Sequence, residues 1–313
     1  MSECKKEFKT SIGGQALIEG IMMRGPEKQA IVLNTKDGFV TKTEDIKLTK
    51  NRNPITKLFF VRGAVNFIAM MSIGVRALMF SAEHMPEEEI DEPSKFDRWV
   101  EERFGNEKAE KVLVTVSVVL GVALAVGLFM LLPTLLAGLL GRFIENNILR
   151  NLAEGVLRIV IFLLYMWLAT RLNEMKRVWA YHGAEHKAIY CYEKGLPLTV
   201  ENVKEQSRLH PRCGTSFLFI VMIVSILVFS FTSWENVFIR IALRLLLLPV
   251  VVGVSYELIK LAGRYDNWAT RIISAPGKAL QRLTTAEPDD KMIETAIEAL
   301  NLVAPESADD AEW

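Results

Sequence analysis

The run from Val112 to Leu132 holds no charged residue, and about 20 apolar residues is the length a helix needs to cross the hydrocarbon core of a bilayer. Lipid offers backbone groups no partner, so a stretch of this kind is restricted to a helix that satisfies its own hydrogen bonds. Pro133 and Gly138 predict a kinked extension of it towards Arg142. Three more stretches meet the same test: Leu152 to Leu172, with Glu154 and Arg158 near its start; Thr215 to Phe231; and Val237 to Leu261, with Arg240 and Arg244 at one end and Glu257 at the other. The segment from Lys57 to Phe80 is interrupted by Arg62, Asn66 and Arg76, which predicts an amphipathic helix in the interface, or a re-entrant segment, rather than a crossing. Composition agrees. Across 313 residues, 50% are hydrophobic and 24% charged, with a mean hydropathy of +0.22, which fits poorly with two soluble domains. The expected fold is a mainly α, polytopic membrane protein with about four transmembrane helices, an interfacial helix and a small N-terminal β-hairpin on the cytoplasmic side.

Charge sets the partners and the orientation. Lys and Arg number 37 and Asp and Glu number 37, so no basic excess points to nucleic acid, and the lipid bilayer is the expected partner. Three cysteines, Cys4, Cys191 and Cys213, fit a reducing compartment better than a disulfide scaffold. The N-terminal MSECKKEFKTSIGG lacks an apolar core before a small-residue cleavage site, so no removed signal peptide is expected. Between the second and third spans lie Arg171, Lys176, Arg177, Lys187, Lys194, Lys204, Arg208 and Arg212. The positive-inside rule makes that loop cytoplasmic, and Lys108, Lys111, Lys260, Arg264 and Arg271 agree with both termini inside. Arg142 and Arg150 dissent mildly in the first external loop.

Five regions follow along the chain. Residues 1–56 form a cytoplasmic β element, read from the apolar run Ala30 to Leu33, the turn signal Asn34 to Gly38 and an alternating tail. Residues 57–110 hold the interfacial helix and a charged, Pro-interrupted linker. Residues 111–261 hold the four spans and, at 171–213, a His-rich cytoplasmic loop. Residues 262–304 form C-terminal helices: Pro288, Asp289 and Asp290 suit a first turn, and Met292, Ile293, Ala296, Ile297 and Leu300 mark one apolar face. Residues 305–313 are an acidic, disordered tail.

Three of the four histidines fall in the cytoplasmic loop. Trp179 to Glu193 reads as a helix closed by Gly195 and Pro197. His182 and His186 then lie one turn apart on one face, close enough to share a metal ion. Glu185 completes H-x-x-E-H, the inverted zinc-peptidase arrangement, in which the carboxylate can act as general base on a metal-activated water. Two histidines at this spacing also arise on solvated helix faces, so the pattern needs support from elsewhere. His210-Pro211-Arg212-Cys213-Gly214 offers soft ligands in a turn at the start of the third span. Glu257, an acid in an apolar helix, calls for a partner or a cavity. Either His210 or Glu257 is the expected third ligand, His210 slightly ahead and Cys213 third. Cys191 is out of phase with His182 and is excluded.

A second segment, Gly13-Gly14-Gln15-Ala16-Leu17-Ile18-Glu19-Gly20-Ile21-Met22-Met23-Arg24-Gly25-Pro26, reads as a tight strand and turn and carries no nucleotide-binding pattern. Together with YHGAEHKAIYCYE, HPRCGTSF and LQRLTTAEPDD, this GGQALIEGIMMRGP block resembles the YqhQ family of bacterial membrane proteins, described as metal-dependent enzymes of unknown substrate. The resemblance spans nearly the whole chain. It implies that the GGQ and HGAEHK segments belong to one unit, and that His182, Glu185, His186, His210 and Cys213 occupy family blocks; Glu257 rests on the residue argument alone. The expected function is a zinc-dependent hydrolase at the cytoplasmic face of a bacterial inner membrane, with Glu185 as base and a peptide or lipid-linked substrate. A non-enzymatic scaffold or regulator with a structural metal is the rival, and transport a weaker third reading, because the charge-free spans offer no polar pathway. Arg158, Arg240 and Arg244 are expected near external lipid headgroups.

Overall fold

The computed structural model describes residues 8–46, 59–85, 99, 103, 105–140, 143, 144, 146–231, 236–265 and 267–305. Its N-terminal part is a four-stranded antiparallel sheet in the order β1 (Gly13–Leu17), β2 (Gly20–Arg24), β3 (Lys28–Thr35), β4 (Gly38–Asp45). The expected hairpin is the outer half of this sheet, with Thr35 paired to Gly38 across the turn. The inner half comes from the GGQ segment, where Leu17 pairs with Gly20 around a two-residue turn. Consecutive strand residues point to opposite faces, and β2 buries both Met22 and Met23, so each face of the sheet has its own cover. On one side Ile21, Met23, Ala30 and Val32 pack in a core with residues of α5 (Asn173–Glu193) and α10 (Asp290–Val303). On the other, Leu17, Met22, Ile31 and Leu33 meet Ala77, Ile73 and Phe80 of α1 (Phe59–Glu83). The free edge β4 is exposed and charged, with Lys42 paired to Glu44, a composition that discourages edge-to-edge pairing.

The C-terminal helix forms as its sequence predicts. Asp289 caps α10 by accepting from the Met292 amide, and Met292, Ile293, Ala296 and Leu300 are buried.

Among the described residues, four helices are long and apolar enough to cross a membrane: Val61–Glu83, Val112–Leu140, Asn147–Ala169 and Phe238–Arg264. They belong to α1; to α2 (Asn106–Val126) continued through a π turn at Gly127–Leu131 into α3 (Leu132–Leu140); to α4 (Asn147–Ala169); and to α8 (Val237–Arg264). The count matches expectation but the membership differs. The third expected span is α7 (Gly214–Phe229), a shorter apolar helix of 16 residues that follows the one-turn α6 (Val200–Lys204), whereas α1 qualifies despite its polar residues. Those residues are satisfied on α8: Arg62 donates to both Glu257 oxygens at 2.6 and 2.5 Å, and Asn66 donates to the Tyr256 hydroxyl at 3.2 Å. The two helices touch backbone to backbone, since a Cβ on Gly63 would lie 2.8 Å from the Gly253 Cα. Most of the charged linker, 86–98, and the acidic tail, 306–313, lie outside the described residues.

Two compact units divide the chain, one of Met1–His84, Met166–Val228 and Leu245–Trp313, the other of Met85–Tyr165 and Phe229–Arg244. The second unit is organised around a buried acid. Glu154 pairs with Arg244, accepts from Arg158 at 3.1 Å and from Thr134 at 2.8 Å, and Arg240 and Arg244 are 3% and 1% exposed. Arg158, Arg240 and Arg244 are therefore enclosed in protein rather than directed at headgroups, because a guanidinium in an apolar helix is cheapest beside a carboxylate. Removing that carboxylate alone should be severe: Glu154→Ala is expected to lower unfolding stability by about 3–5 kcal/mol, read as a large drop in melting temperature of the detergent-purified chain. A melting curve superimposable on wild type would contradict this role.

Candidate metal centre

The first unit closes around α5, which begins at Asn173, ahead of the Trp179 start that the sequence suggests. His182 and His186 stack with ring centroids 4.4 Å apart, as their i, i+4 spacing requires. Each ring has its Nδ1 against a backbone carbonyl: His182 donates to Thr284 O at 2.7 Å, at the end of α9 (Trp268–Thr284), and His186 donates to Arg208 O at 2.5 Å. A carbonyl can only accept, so each Nδ1 carries a proton and each ring presents its Nε2 to the interior. Cys213, just ahead of α7, brings its Sγ to 3.1 Å from His182 Nε2. Ligand atoms of His182, His186 and Cys213 all lie within 4.8 Å of one another, and the three residues are buried. Zinc–nitrogen and zinc–sulfur bonds of about 2.0–2.3 Å place ligands on one ion about 3–4 Å apart, so the trio fits a small divalent cation after a slight contraction.

Glu185 lies beside the trio at 5% exposure. The Gly14 amide donates to its carboxylate, while Oε2 has no hydrogen-bond partner among the described residues. This close approach accounts for Gly14: a Cβ there would stand 3.0 Å from the Glu185 carboxyl carbon and 2.6 Å from Met22 O. The GGQ strand is thus the wall of the site.

Electrostatics couple the group. Burial raises the Glu185 carboxyl above its ordinary range, partly offset by the two histidines. Burial opposes a charged Cys213, but His182 and His186 outweigh it and hold the thiol well below its ordinary value. Burial also opposes a charged His182, and the neighbouring Cys213 overrides it, lifting the imidazole to about 9. Without a metal the pair is a thiolate beside a protonated His182, and a divalent cation would displace the proton from Nε2 and take both the thiolate and the imidazole.

Two expected ligands lie elsewhere. His210 is buried with its ring 5.6 Å from that of His186, but its Nε2 faces Glu193 at 3.6 Å and Arg212 at 3.4 Å. Its backbone is clamped by Gln281 through two bonds of 2.7 Å, which holds the ring against the Glu193 end of α5 rather than in the cluster. Glu257 is neutralised by Arg62, which removes the burial cost that suggested a metal partner. Cys213, ranked last from the sequence, occupies the third position. Sequence reasoning also missed Thr284, Arg208 and Gln281, which orient the ring and turn through backbone bonds; the LQRLTTAEPDD block contains two of them and was the available signal.

A mainly helical chain with span-length apolar helices and a buried His/His/Cys cluster defines the class. Residues 58–306 match the family model described as Protein of unknown function (DUF1385), and the chain belongs to that family. It is 34% identical over 304 residues to a Bacillus subtilis (strain 168) relative described as Uncharacterized protein YqhQ, covering 95% of this chain and 93% of the relative. Neither description names an activity, a metal or a substrate. No solved structure matches.

The His210 clamp titrates in a defined direction. Burial, ahead of the opposing Glu193 contact, lowers its imidazole from 6.5 to about 4. Between those values the unfolded chain binds a proton that the folded chain refuses, so stability rises with pH and is lost as pH falls from about 6.5 to 4. The loss attributable to this group is up to about 3 kcal/mol. Thermal unfolding across that window should show a shallower acid slope in His210→Gln than in wild type; equal slopes would exclude the assignment.

Proposed function

We propose that this chain is a metal-dependent hydrolase embedded in a bacterial cytoplasmic membrane, with His182, His186 and Cys213 holding zinc and Glu185 as the general base. The observation that carries the reading is the Glu185 Oε2, without a hydrogen-bond partner among the described residues, next to three buried candidate ligand atoms. A purely structural centre has no use for a buried carboxyl with an unfilled oxygen, which costs free energy wherever it is not compensated. Three protein ligands leave a fourth position open, and zinc there would lower the pKa of a coordinated water to about 7. Glu185 would be placed to take the proton from such a water, and burial raises its carboxyl above the ordinary range, which makes it the stronger base. The Gly14 amide fixes the other oxygen, so the base is oriented before substrate arrives.

Parity supports the membrane arrangement. The sheet packs on α5 and α10 in one compact unit, so all three lie on one side of any bilayer and an even number of crossings separates them. Three long apolar segments stand between the sheet and α5, namely α1, α2–α3 and α4. One of them turns back, and α1 is the candidate: its Ser81 hydroxyl donates to Ile18 O in the sheet while its opposite end pairs with Glu257 on α8. Between α5 and α10 stand α7 and α8, an even pair. Four crossings with both termini on the positively charged side result, and α1 is re-entrant or interfacial.

Protein purified without affinity histidines should carry one zinc per chain. His182→Ala, His186→Ala and Cys213→Ala should each lose it, while His210→Ala and Glu257→Gln should keep it. Glu185→Gln should retain the metal but shift the pH titration of the cobalt-substituted absorption spectrum by more than a unit. Full occupancy in the three ligand variants would end the metal reading, and an unmoved titration would turn the centre into a structural one. For the topology, cysteines placed at Asp45 and Glu83 should label from the same side of sealed vesicles; opposite sidedness would make α1 a crossing.

A further inference from the structure

A cavity of about 370 Å³ opens in the first unit on the side of His210 away from the cluster. Its size falls in the range of small-ligand sites, about 300–1,000 Å³. Cations dominate its wall: Lys9, Lys194, Arg212, Arg271 and Lys278 line it against a single acid, Glu193. Arg212 is itself paired to Glu193, and Lys9, Lys194 and Lys278 have no acidic partner among the described residues. Three lysines without an acidic partner among the described residues, on the wall of one cavity, select an anion of more than one negative oxygen, the chemistry of a phosphate.

The source of that phosphate follows from the elements that carry the cavity. Ala262, Gly263 and Tyr265, at the polar end of α8, form part of the wall. The helix that follows, α9, is folded inside out relative to a soluble surface helix. Its buried face is polar, with Thr270, Ser274, Gln281 and Thr284 turned inward, while Trp268 and Ile272 are 77% and 62% exposed. Arg271 and Arg282 flank that apolar face. Exposed apolar side chains, a tryptophan and a tyrosine next to the end of a span-length helix, and flanking arginines are the composition of a segment seated in a bilayer interface. The cavity beside it then lies at headgroup depth.

We propose that this cavity binds the phosphate of an anionic phospholipid, with α9 laid in the interface and Lys194 and Lys278 as the main phosphate contacts. The proposal rests on α8 crossing the bilayer, as in the function proposed above, and is independent of whether the cluster holds a metal. Tyr190 lines the cavity and packs on His210 at 4.7 Å, and His210 lies 5.6 Å from His186, so a bound headgroup would sit two rings from the His182, His186 and Cys213 cluster.

The full chain in neutral detergent, stripped of lipid, is titrated with short-chain phosphatidylglycerol, short-chain phosphatidylcholine and inorganic phosphate, with thermal stabilisation and calorimetry as readouts. Phosphatidylglycerol should bind and raise the melting temperature, more at low salt than at high; phosphatidylcholine should not, and inorganic phosphate should bind at least tenfold more weakly. Lys194→Gln with Lys278→Gln should weaken phosphatidylglycerol binding about tenfold and leave the lipid-free melting temperature unchanged; if that double variant misfolds, Lys194→Gln alone gives the same comparison at a smaller shift. Equal binding of the two lipids, phosphate binding as tight as phosphatidylglycerol, or wild-type affinity in the variants would each overturn the proposal. Carbonate extraction of native membranes separates the two readings: a chain released by carbonate refutes the membrane placement, whereas a retained chain without lipid selectivity refutes only this site.

Discussion

Burying a polar helix obliges the rest of a chain to bring partners to it. Every residue of α5 from Ala180 to Ile189 is buried, and four of those carry polar or charged side chains at the centre of the unit. Lys187 is met by the carbonyls of Lys204 and Gln206 and by Glu287; the two imidazoles by carbonyls from α9 and the 205–213 turn; Glu185 by the β1 backbone. Leaving any of these unmatched would cost on the order of 1–3 kcal/mol or more. The β element, the loop and the C-terminal helices are thus organised by the same demand, and the sheet is held where it is because Gly14 must reach Glu185.

The same logic runs through the charged side chains of the apolar helices. Glu257 and Glu154 are both acids in hydrophobic sequence, and both are resolved by arginine, Arg62 in one case and Arg244 with Arg158 in the other. Neither needs a metal. What separates Glu185 from them is its company: its neighbours are two histidines and a cysteine, and one oxygen is left without a partner. Charge alone is a poor guide to a site in a chain of this kind, whereas an unmet acceptor beside converging soft ligands is specific.

His210 shows why spacing alone does not place a side chain. A histidine in a Pro-containing turn is free to point either way by local conformation alone. Its direction is decided by Gln281, 71 residues later, which grips the backbone on both sides of it, and by the Glu193 and Arg212 pair that takes its ring. Cys213, three residues on, points into the cluster, with its Sγ 3.1 Å from His182 Nε2.

Local periodicity determined a good deal. The apolar runs, the α5 spacing of His182, Glu185 and His186, the Asn34–Gly38 turn and the α10 face with its Asp289 cap are all short-range patterns, set by helix and strand geometry within a few residues. The tertiary structure alone decided which side chain joins His182 and His186 in the cluster, which acids are neutralised, that the GGQ strand walls it, and that α9 turns its polar face inward. Those outcomes depend on side chains that meet across tens to hundreds of positions, such as Gly14 with Glu185 and Arg62 with Glu257, and no local pattern encodes a partner at that distance. Burial supplies the physical reason: once water is excluded, each polar group takes whichever partner the packing brings to it, and only the folded chain specifies that partner.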